Sequence, residues 1–182
     1  MRSRIIIPFV FVVLILLGWT ETHYGKQEAV SSVSAFADAP DFSWHAFDGT
    51  MHTLSELSGH TVVLHFWASW CTPCREEFPK LLTVAQSMPD IIFLTVSSDE
   101  DHSRAERFIV QMQRASQTRN LPNVLYAFDP KKTLTLDVFQ TVQYPESIML
   151  DAAHHLRRKF SGPVDWSKND IKNYLRQLSN SQ

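Results

Sequence analysis

Cysteine is scarce in this sequence, because its 182 residues include only Cys71 and Cys74. Two cysteines cannot form the multi-disulfide framework of a small secreted domain, and they are too few for a cysteine-rich structural zinc site. With only two residues between them they are also a poor structural cross-link. The pair is therefore either a redox-active dithiol or part of a metal site.

The sequence also lacks an excess of basic residues, internal repeats and low-complexity tracts. Its formal net charge is −2, and the one basic cluster, residues 157–159, is too short to indicate a nucleic-acid partner. Hydrophobic residues make up 44% and charged residues 20% of the chain, which are ordinary values for a globular protein. The composition predicts one globular domain with appendages and no nucleic-acid partner.

An uncharged apolar run lies at the amino terminus, where Arg2 and Arg4 precede residues 5–19. The run is slightly shorter than the ~17–25 residues that usually span a bilayer, and snorkelling arginines with Trp19 at the interface make up the difference. Residues 1–20 are predicted to be either an uncleaved single-pass anchor in the inner membrane or a cleaved signal peptide. In both cases the rest of the chain lies outside the cytoplasm, in the periplasm.

Polar, aperiodic residues follow at 21–40 and are predicted to form a flexible linker, so the globular domain spans 41–182. Strand patterns occupy residues 41–47, 61–67, 91–96, 124–128, 146–150 and 156–160. Helical patterns occupy about 72–88, a segment capped by Ser98 or Asp99, 131–139, and a segment that starts at Ser167. Alternating strands and helices predict an α/β sheet covered on both faces.

The two cysteines lie where a buried strand pattern gives way to a helical one. A thiolate at a helix amino terminus is stabilised by unpaired backbone N–H groups and the helix dipole, which lowers the pKa of Cys71. Cys74 lies one turn further on and should be more buried. Disulfide exchange needs one thiolate to attack and a second thiol to resolve the mixed disulfide. The pattern predicts these roles for Cys71 and Cys74.

The residues around this pair resemble the thioredoxin fold, and more narrowly the TlpA/ResA/DsbE group of membrane-anchored, extracytoplasmic thiol-disulfide oxidoreductases. The segments that carry the resemblance are FWASWCTPCREEFP at 66–79, the lead-in at 48–59 and YPESIMLD at 144–151. The resemblance runs from about residue 40 to the carboxyl terminus. It implies a thioredoxin-like fold with a central mixed β-sheet flanked by helices on both faces, an amino-terminal β-hairpin extension and no cofactor.

The same resemblance implies roles for residues outside the dithiol. Pro145 would be a cis-proline that faces the dithiol, Tyr144 would line the substrate groove, and Trp70 would cover the dithiol from the rim. Glu77 matches an acidic residue that this group places near the active site, where a carboxylate could exchange a proton with the resolving thiol. On spacing alone, a solvated carboxylate in the first turns of a helix explains Glu77 as well.

Two positions depart from the resemblance. His65 stands where thioredoxins have a buried acid and this group usually has asparagine, so it is either a proton relay or a satisfied core histidine. Residues 140–143 lack the glycines often found before the cis-proline, which puts the rim of the groove in question. His154 and His155 lie in a predicted turn and point different ways, so no metal site is predicted there.

The leading functional hypothesis is a protein-disulfide reductase outside the cytoplasm. The resemblance suggests apocytochrome c cysteines among its substrates, and recharging in an oxidising compartment implies a membrane electron donor of the DsbD/CcdA type. Alternatives are the oxidant or isomerase direction of the same chemistry and a Sco-like copper chaperone. Sco-type proteins place three residues between their cysteines and add a distal histidine as a ligand. In this sequence only two residues separate the cysteines. A peroxiredoxin-like peroxidase would place its cysteine in a different local setting.

Overall fold

A computed structural model describes residues 38–181, so the predicted anchor and most of the predicted linker lie outside the described residues. Among residues 38–181 the structure contains no candidate transmembrane helix. The strands are β1 (Ser43–His45), β2 (Met51–Thr53), β3 (Thr61–Trp67), β4 (Ile91–Ser97), β5 (Val124–Phe128), β6 (Glu146–Leu150) and β7 (Leu156–Ser161). The α-helices are α1 (Thr72–Ser87), α2 (His102–Ala115) and α3 (Asn169–Asn180), with a 3-10 helix at Leu54–Leu57 and a π-helical turn at Thr133–Val138.

Five strands form a mixed sheet in the order β5-β4-β3-β6-β7. The first three of these are parallel, and β6 and β7 are antiparallel to their neighbours. Strand β3 is central and buried along its whole length, which explains its continuous apolar sequence. Strands β1 and β2 form a separate antiparallel hairpin. The predicted thioredoxin-like fold with a mixed sheet and an amino-terminal hairpin is confirmed.

The two faces of the sheet are covered differently. All three α-helices pack on one face, where their buried side chains share a core with Val63, Trp67 and Phe93. The opposite face is covered by the hairpin, the 3-10 helix and the π-helical turn through Phe42, Trp44, Leu54, Leu134 and Phe139. The second face therefore carries only short elements, and all three α-helices lie on the face that carries the dithiol.

Helix boundaries differ from the sequence prediction at two amino termini. Asp101, rather than Ser98 or Asp99, caps α2, because its side chain accepts the Arg104 N–H. Helix α3 begins at Asn169 without a side-chain cap, and the Ser167 hydroxyl donates instead to Asp165. The short helix predicted at 131–139 is the π-helical turn. At both helix amino termini the side chains that the local pattern selected bond to other polar groups instead: Ser98 to Thr135, Asp99 to Ser69 and Ser167 to Asp165.

The chain enters the described fold beside the turn between β6 and β7. Residues 38 and 39, which the sequence assigns to the linker, already contact this turn, since the Ala39 N–H donates to the His154 carbonyl oxygen at 2.9 Å. Asp38 forms an isolated bridge with His155. The Gly59 N–H donates to the Ala152 carbonyl oxygen at the same end of the sheet. The division at residues 20 and 40 stays a prediction.

Candidate active site

The two cysteines form a disulfide at the start of α1. Cys71 is the N-cap residue, and its Sγ accepts the backbone N–H of Cys74 at 3.2 Å. Pro73 lies in the first turn, where its missing N–H is not needed. Cys71 is 6% exposed and Cys74 is fully buried. Of the two sulfur-bearing side chains, Cys71 alone keeps some exposure, and it lies at a helix amino terminus, which favours a thiolate.

The loop that precedes the disulfide is fixed by a buried carboxylate that the sequence analysis assigned to a helix cap. Asp99 accepts the Ser69 N–H at 2.9 Å and the Ser69 hydroxyl at 2.7 Å. The same carboxylate accepts the Ser97 hydroxyl at 2.9 Å. These bonds tie the residue before Trp70 to the end of β4. The sequence holds no local sign of this pairing, because Ser69 and Asp99 are 30 residues apart.

The loop before β6 lies against Trp70. The Tyr144–Pro145 peptide bond is cis, as the resemblance implies, and Pro145 is buried. The ring of Tyr144 meets the ring of Trp70 nearly at a right angle, with centroids 5.6 Å apart. Burial raises the pKa of the Tyr144 phenol. Gln140 has a φ of 52°, so it adopts the left-handed backbone conformation that favours glycine. It lies in the segment 140–143, which lacks the glycines often found before the cis-proline.

Glu77 is buried, so the interpretation of Glu77 as a solvated carboxylate is wrong. Its Oε2 accepts the Val164 N–H at 2.6 Å, a contact across 87 residues of sequence. Its Oε1 has no hydrogen-bond partner and lies 3.5 Å from Nε2 of His65. Burial raises the pKa of Glu77 from 4.5 to about 7, while the Val164 amide favours the carboxylate. The carboxyl group is therefore poised to gain or lose a proton near neutral pH.

His65 lies at the centre of β3, fully buried, on the face that carries α1. Its Nδ1 lies 2.9 Å from the Ser147 hydroxyl, and burial lowers its pKa from 6.5 to about 3. The imidazole is thus neutral, and its Nε2 lacks a partner other than Glu77. If Glu77 Oε1 carries a proton and donates it to His65 Nε2, each of these two buried atoms gains a hydrogen-bond partner. The histidine is satisfied at one nitrogen and paired with an acid at the other.

The raised pKa of Glu77 and the lowered pKa of His65 predict opposite pH dependences of the free energy of unfolding. Because the folded state binds the Glu77 proton more tightly than the unfolded state, Glu77 contributes stability that is lost as pH rises from about 4.5 to about 7. Because the folded state disfavours protonated His65, its contribution is lost as pH falls from about 6.5 to about 3. The two trends oppose each other where the windows overlap.

Relative to the unmodified chain, His65→Asn is therefore expected to lose stability as pH rises through the overlap, and Glu77→Gln to gain it. Urea midpoints measured at pH 4.5, 5.5 and 6.5 check this expectation. Referring each variant to the unmodified chain at the same pH removes the contributions of all other titrating groups. Parallel pH profiles for the two variants would contradict the assigned protonation states.

The other histidines that the structure describes show no metal-site geometry. Within residues 38–181, no group of three or more His, Cys, Asp or Glu side chains could hold a metal ion. His154 Nε2 lies 3.2 Å from the Leu57 carbonyl oxygen, whereas His155 faces Asp151 and Asp38. The two adjacent rings point to different partners, as the sequence predicts.

These features define a class of protein. A mixed five-stranded sheet carries a cysteine pair at the amino terminus of the helix that follows its central strand, and a cis-proline loop lies beside that pair. This is the arrangement of a thioredoxin-fold redox protein, in which the dithiol and the disulfide of one cysteine pair interconvert.

The chain belongs to the redoxin family, whose profile matches residues 35–178. It is 25% identical to the thiol-disulfide oxidoreductase ResA of Geobacillus thermodenitrificans, with 97% of each chain covered. The crystal structure of a putative thiol:disulfide interchange protein DsbE from Chlorobium tepidum matches with a TM-score of 0.66 and 26% identity, covering 79% of this chain and 96% of that one.

The pneumococcal exposed lipoprotein thioredoxin Etrx1 from Streptococcus pneumoniae matches with a TM-score of 0.58 and 27% identity, covering 76% of this chain and 99% of that one. With the Cys71–Cys74 pair at disulfide distance, these relationships make the chain a thiol-disulfide oxidoreductase of the ResA/DsbE type.

Proposed function

We propose that this oxidoreductase works as a reductant of protein disulfides outside the cytoplasm, with Cys71 as nucleophile and Cys74 as resolving thiol. The observation that carries the assignment is the asymmetry of the pair. Cys71 is the N-cap residue whose Sγ accepts a backbone N–H and which is 6% exposed, and Cys74 behind it is 0% exposed. A thiolate at Cys71 is therefore both stabilised and accessible, whereas Cys74 can reach only Cys71.

The proposed reaction proceeds in two exchange steps. The Cys71 thiolate attacks one sulfur of the substrate disulfide, forms a mixed disulfide and expels the other substrate sulfur as a thiolate, which takes up a proton. Cys74 then loses its proton and attacks Cys71 Sγ, which forms the Cys71–Cys74 disulfide and expels the second substrate sulfur. The substrate gains two electrons from the cysteine pair and two protons, one equivalent to the proton that Cys74 loses and one from solvent, which had received the proton of Cys71 when its thiolate formed.

Glu77 is proposed to handle the proton of the second step. It follows Cys74 by three residues on α1, so the two side chains share one face of the helix. In its ionised form the carboxylate can accept the Cys74 proton, and the neighbouring His65 then holds the neutral carboxyl group through Nε2. A buried acid with a pKa near 7 is suited to both tasks at neutral pH.

The substrate strand is proposed to bind along the loop before β6, with Trp70, Tyr144 and Pro145 as its contacts. Trp70 is 58% exposed and Val142 is 85% exposed, so the groove has an apolar rim. Trp70 and Tyr144 already pack against each other. An extended segment with its cysteine at Cys71 would use backbone hydrogen bonds for affinity and this rim for side-chain contact.

An extracytoplasmic location is supported by the apolar run at 5–19 with its flanking arginines, which predicts an anchor in the inner membrane. The alignment with ResA covers 97% of this chain and so includes most of that run. In this location the dithiol would be recharged by a membrane electron donor of the DsbD/CcdA type. The proposed substrates are exported protein disulfides, with apocytochrome c cysteines as one candidate.

The reduction potential of the Cys71–Cys74 pair tests the direction of transfer. We expect the full-length chain in detergent to have a potential near that of thioredoxin, about −270 mV, and to accelerate insulin reduction by dithiothreitol. Equilibration with glutathione or dithiothreitol buffers, followed by thiol alkylation, gives the potential. A value near that of DsbA, about −120 mV, would reverse the proposed direction.

A further inference from the structure

Three arginines surround a hollow beside the active-site tryptophan. Arg75 from α1 and Arg104 and Arg107 from α2 line it together with Trp70, and Phe108 is a further lining residue. Phe108 is buried and stacks on Trp67, with ring centroids 4.4 Å apart, so this part of the lining is fixed. All three arginines are exposed. This group of residues is called the arginine hollow below.

The arginine hollow adjoins the reactive cysteine. Arg75 follows Cys74 directly, and its Nη1 lies 3.4 Å from the carbonyl oxygen of Ser69, which precedes Trp70. Arg107 is steadied by a hydrogen bond of 3.0 Å from its Nη1 to the Ser103 hydroxyl. A side chain bound in the hollow would therefore lie within a few residues of a substrate cysteine held at Cys71.

Asp101 interacts electrostatically with Arg107, but the three guanidinium groups form no close ion pair within the described fold. Across residues 38–181, no ion pair joins Arg75, Arg104 or Arg107 to a carboxylate. Among the acids nearby, Asp99 is buried and bonded to Ser69, and Asp101 caps α2. The exposed carboxylate of Glu100 lines a second hollow, which Trp70, Arg104 and Lys132 also line.

This local charge is not a property of the chain as a whole, whose formal net charge is −2. Guanidinium groups bind carboxylates with planar, paired hydrogen bonds, and clusters of one charge in a hollow steer oppositely charged partners. We propose that the arginine hollow binds an acidic side chain next to the target cysteine, so that the preferred substrates are proteins with Asp or Glu flanking their disulfide.

This inference rests on the proposed reduction of protein disulfides, and the test separates the two. Three disulfide-linked peptides of equal length carry two Glu, two Gln or two Lys residues within three positions of the cysteine. A fourth peptide carries its two Glu residues at the far end, with the same net charge as the first. The reduced full-length chain is mixed with each peptide at low salt, and second-order rate constants are followed by tryptophan fluorescence.

The expected result is that the near-Glu peptide reacts about tenfold faster than the Lys peptide, and that 0.5 M salt removes most of this ratio. The double variant Arg104→Gln/Arg107→Gln should lower the ratio several-fold and leave the rate with the Gln peptide unchanged. Arg176→Gln is the matched control, because this exposed arginine lines a hollow with the carboxyl-terminal residue of α1, far from the dithiol. It should change nothing.

Three outcomes would overturn the inference: equal rates for near-Glu and Lys peptides, equal rates for near-Glu and far-Glu peptides, or the same change in Arg176→Gln as in the double variant. The second of these would mean that net charge alone attracts the peptide. Failure of the chain to reduce the Gln peptide at all would instead count against the proposed reductase function. The rates with the Gln peptide are therefore measured first. Only if this peptide is reduced do the comparisons among the charged peptides test the arginine hollow.

Discussion

Replacing Cys71 with serine will abolish disulfide exchange, whereas replacing Cys74 with serine will leave a protein that accumulates mixed disulfides. Without Cys71 no accessible thiolate remains, since Cys74 is fully buried, and the exchange rate should fall by on the order of 10³-fold or more. Without Cys74 the first exchange still occurs, but the resolving thiol is missing. Non-reducing gels and mass spectrometry after incubation with a disulfide substrate give the measurement.

The double variant Cys71→Ser/Cys74→Ser serves as the control, because it should neither exchange nor trap. Equal trapping by the two single variants would contradict the assigned roles, since it would mean that both sulfurs reach the substrate. Trapping by Cys71→Ser alone would reverse the roles.

Replacing Glu77 with glutamine should slow the resolution of the mixed disulfide by about 10²-fold near pH 7.5, because the base that accepts the Cys74 proton is lost. As an acid with a pKa of about 7, Glu77 acts as a base above that pH. The resolution rate of the unmodified chain should therefore rise as pH increases to about 7 and then level off. Glu77→Gln should lack this inflection. Single-turnover kinetics from pH 5 to 9, started from the preformed mixed disulfide, measure the profile.

Glu76→Gln is the matched control, since Glu76 is the exposed neighbour of Glu77 on the same helix. It should retain the rate and the inflection. His65→Asn removes the imidazole that faces the Glu77 carboxyl group, so its inflection should shift while the exchange chemistry persists. An inflection unchanged in both His65→Asn and Glu77→Gln would mean that neither group carries the proton.

Much of the fold could be predicted from the sequence because its central strands β3, β4 and β6 are buried along nearly their whole length. The predicted bounds of β3, β5 and β6 are those observed, since continuous apolar runs between polar turns leave little choice of boundary. The position of the cysteine pair at the start of a helix could be predicted as well. A Cys-x-x-Cys motif shortly after a buried strand is rarely explained by a purely structural role. Helix ends were less predictable, since Asp99 and Asp101 are both competent caps and only the structure shows which is used.

The proton site under the dithiol could not be predicted from local pattern. Glu77 is buried because the Val164 amide, far along the chain, closes over it. His65 is fixed by Ser147, which is 82 residues away. The spacing along α1 predicted that Glu77 lies near Cys74, but it did not predict whether the Glu77 carboxyl group is exposed to solvent. Burial set by distant segments decides both protonation states, and no window of sequence contains those segments.

The point where the chain enters the fold has a consequence for how the protein would meet its partners. Ala39 is bound at the β6–β7 turn, whereas Cys71 follows the opposite end of β3, a strand of seven residues that is about 20 Å long. The chain therefore enters the described fold at the end of the sheet away from the dithiol, and residues 38 and 39 do not stand between Cys71 and an approaching partner.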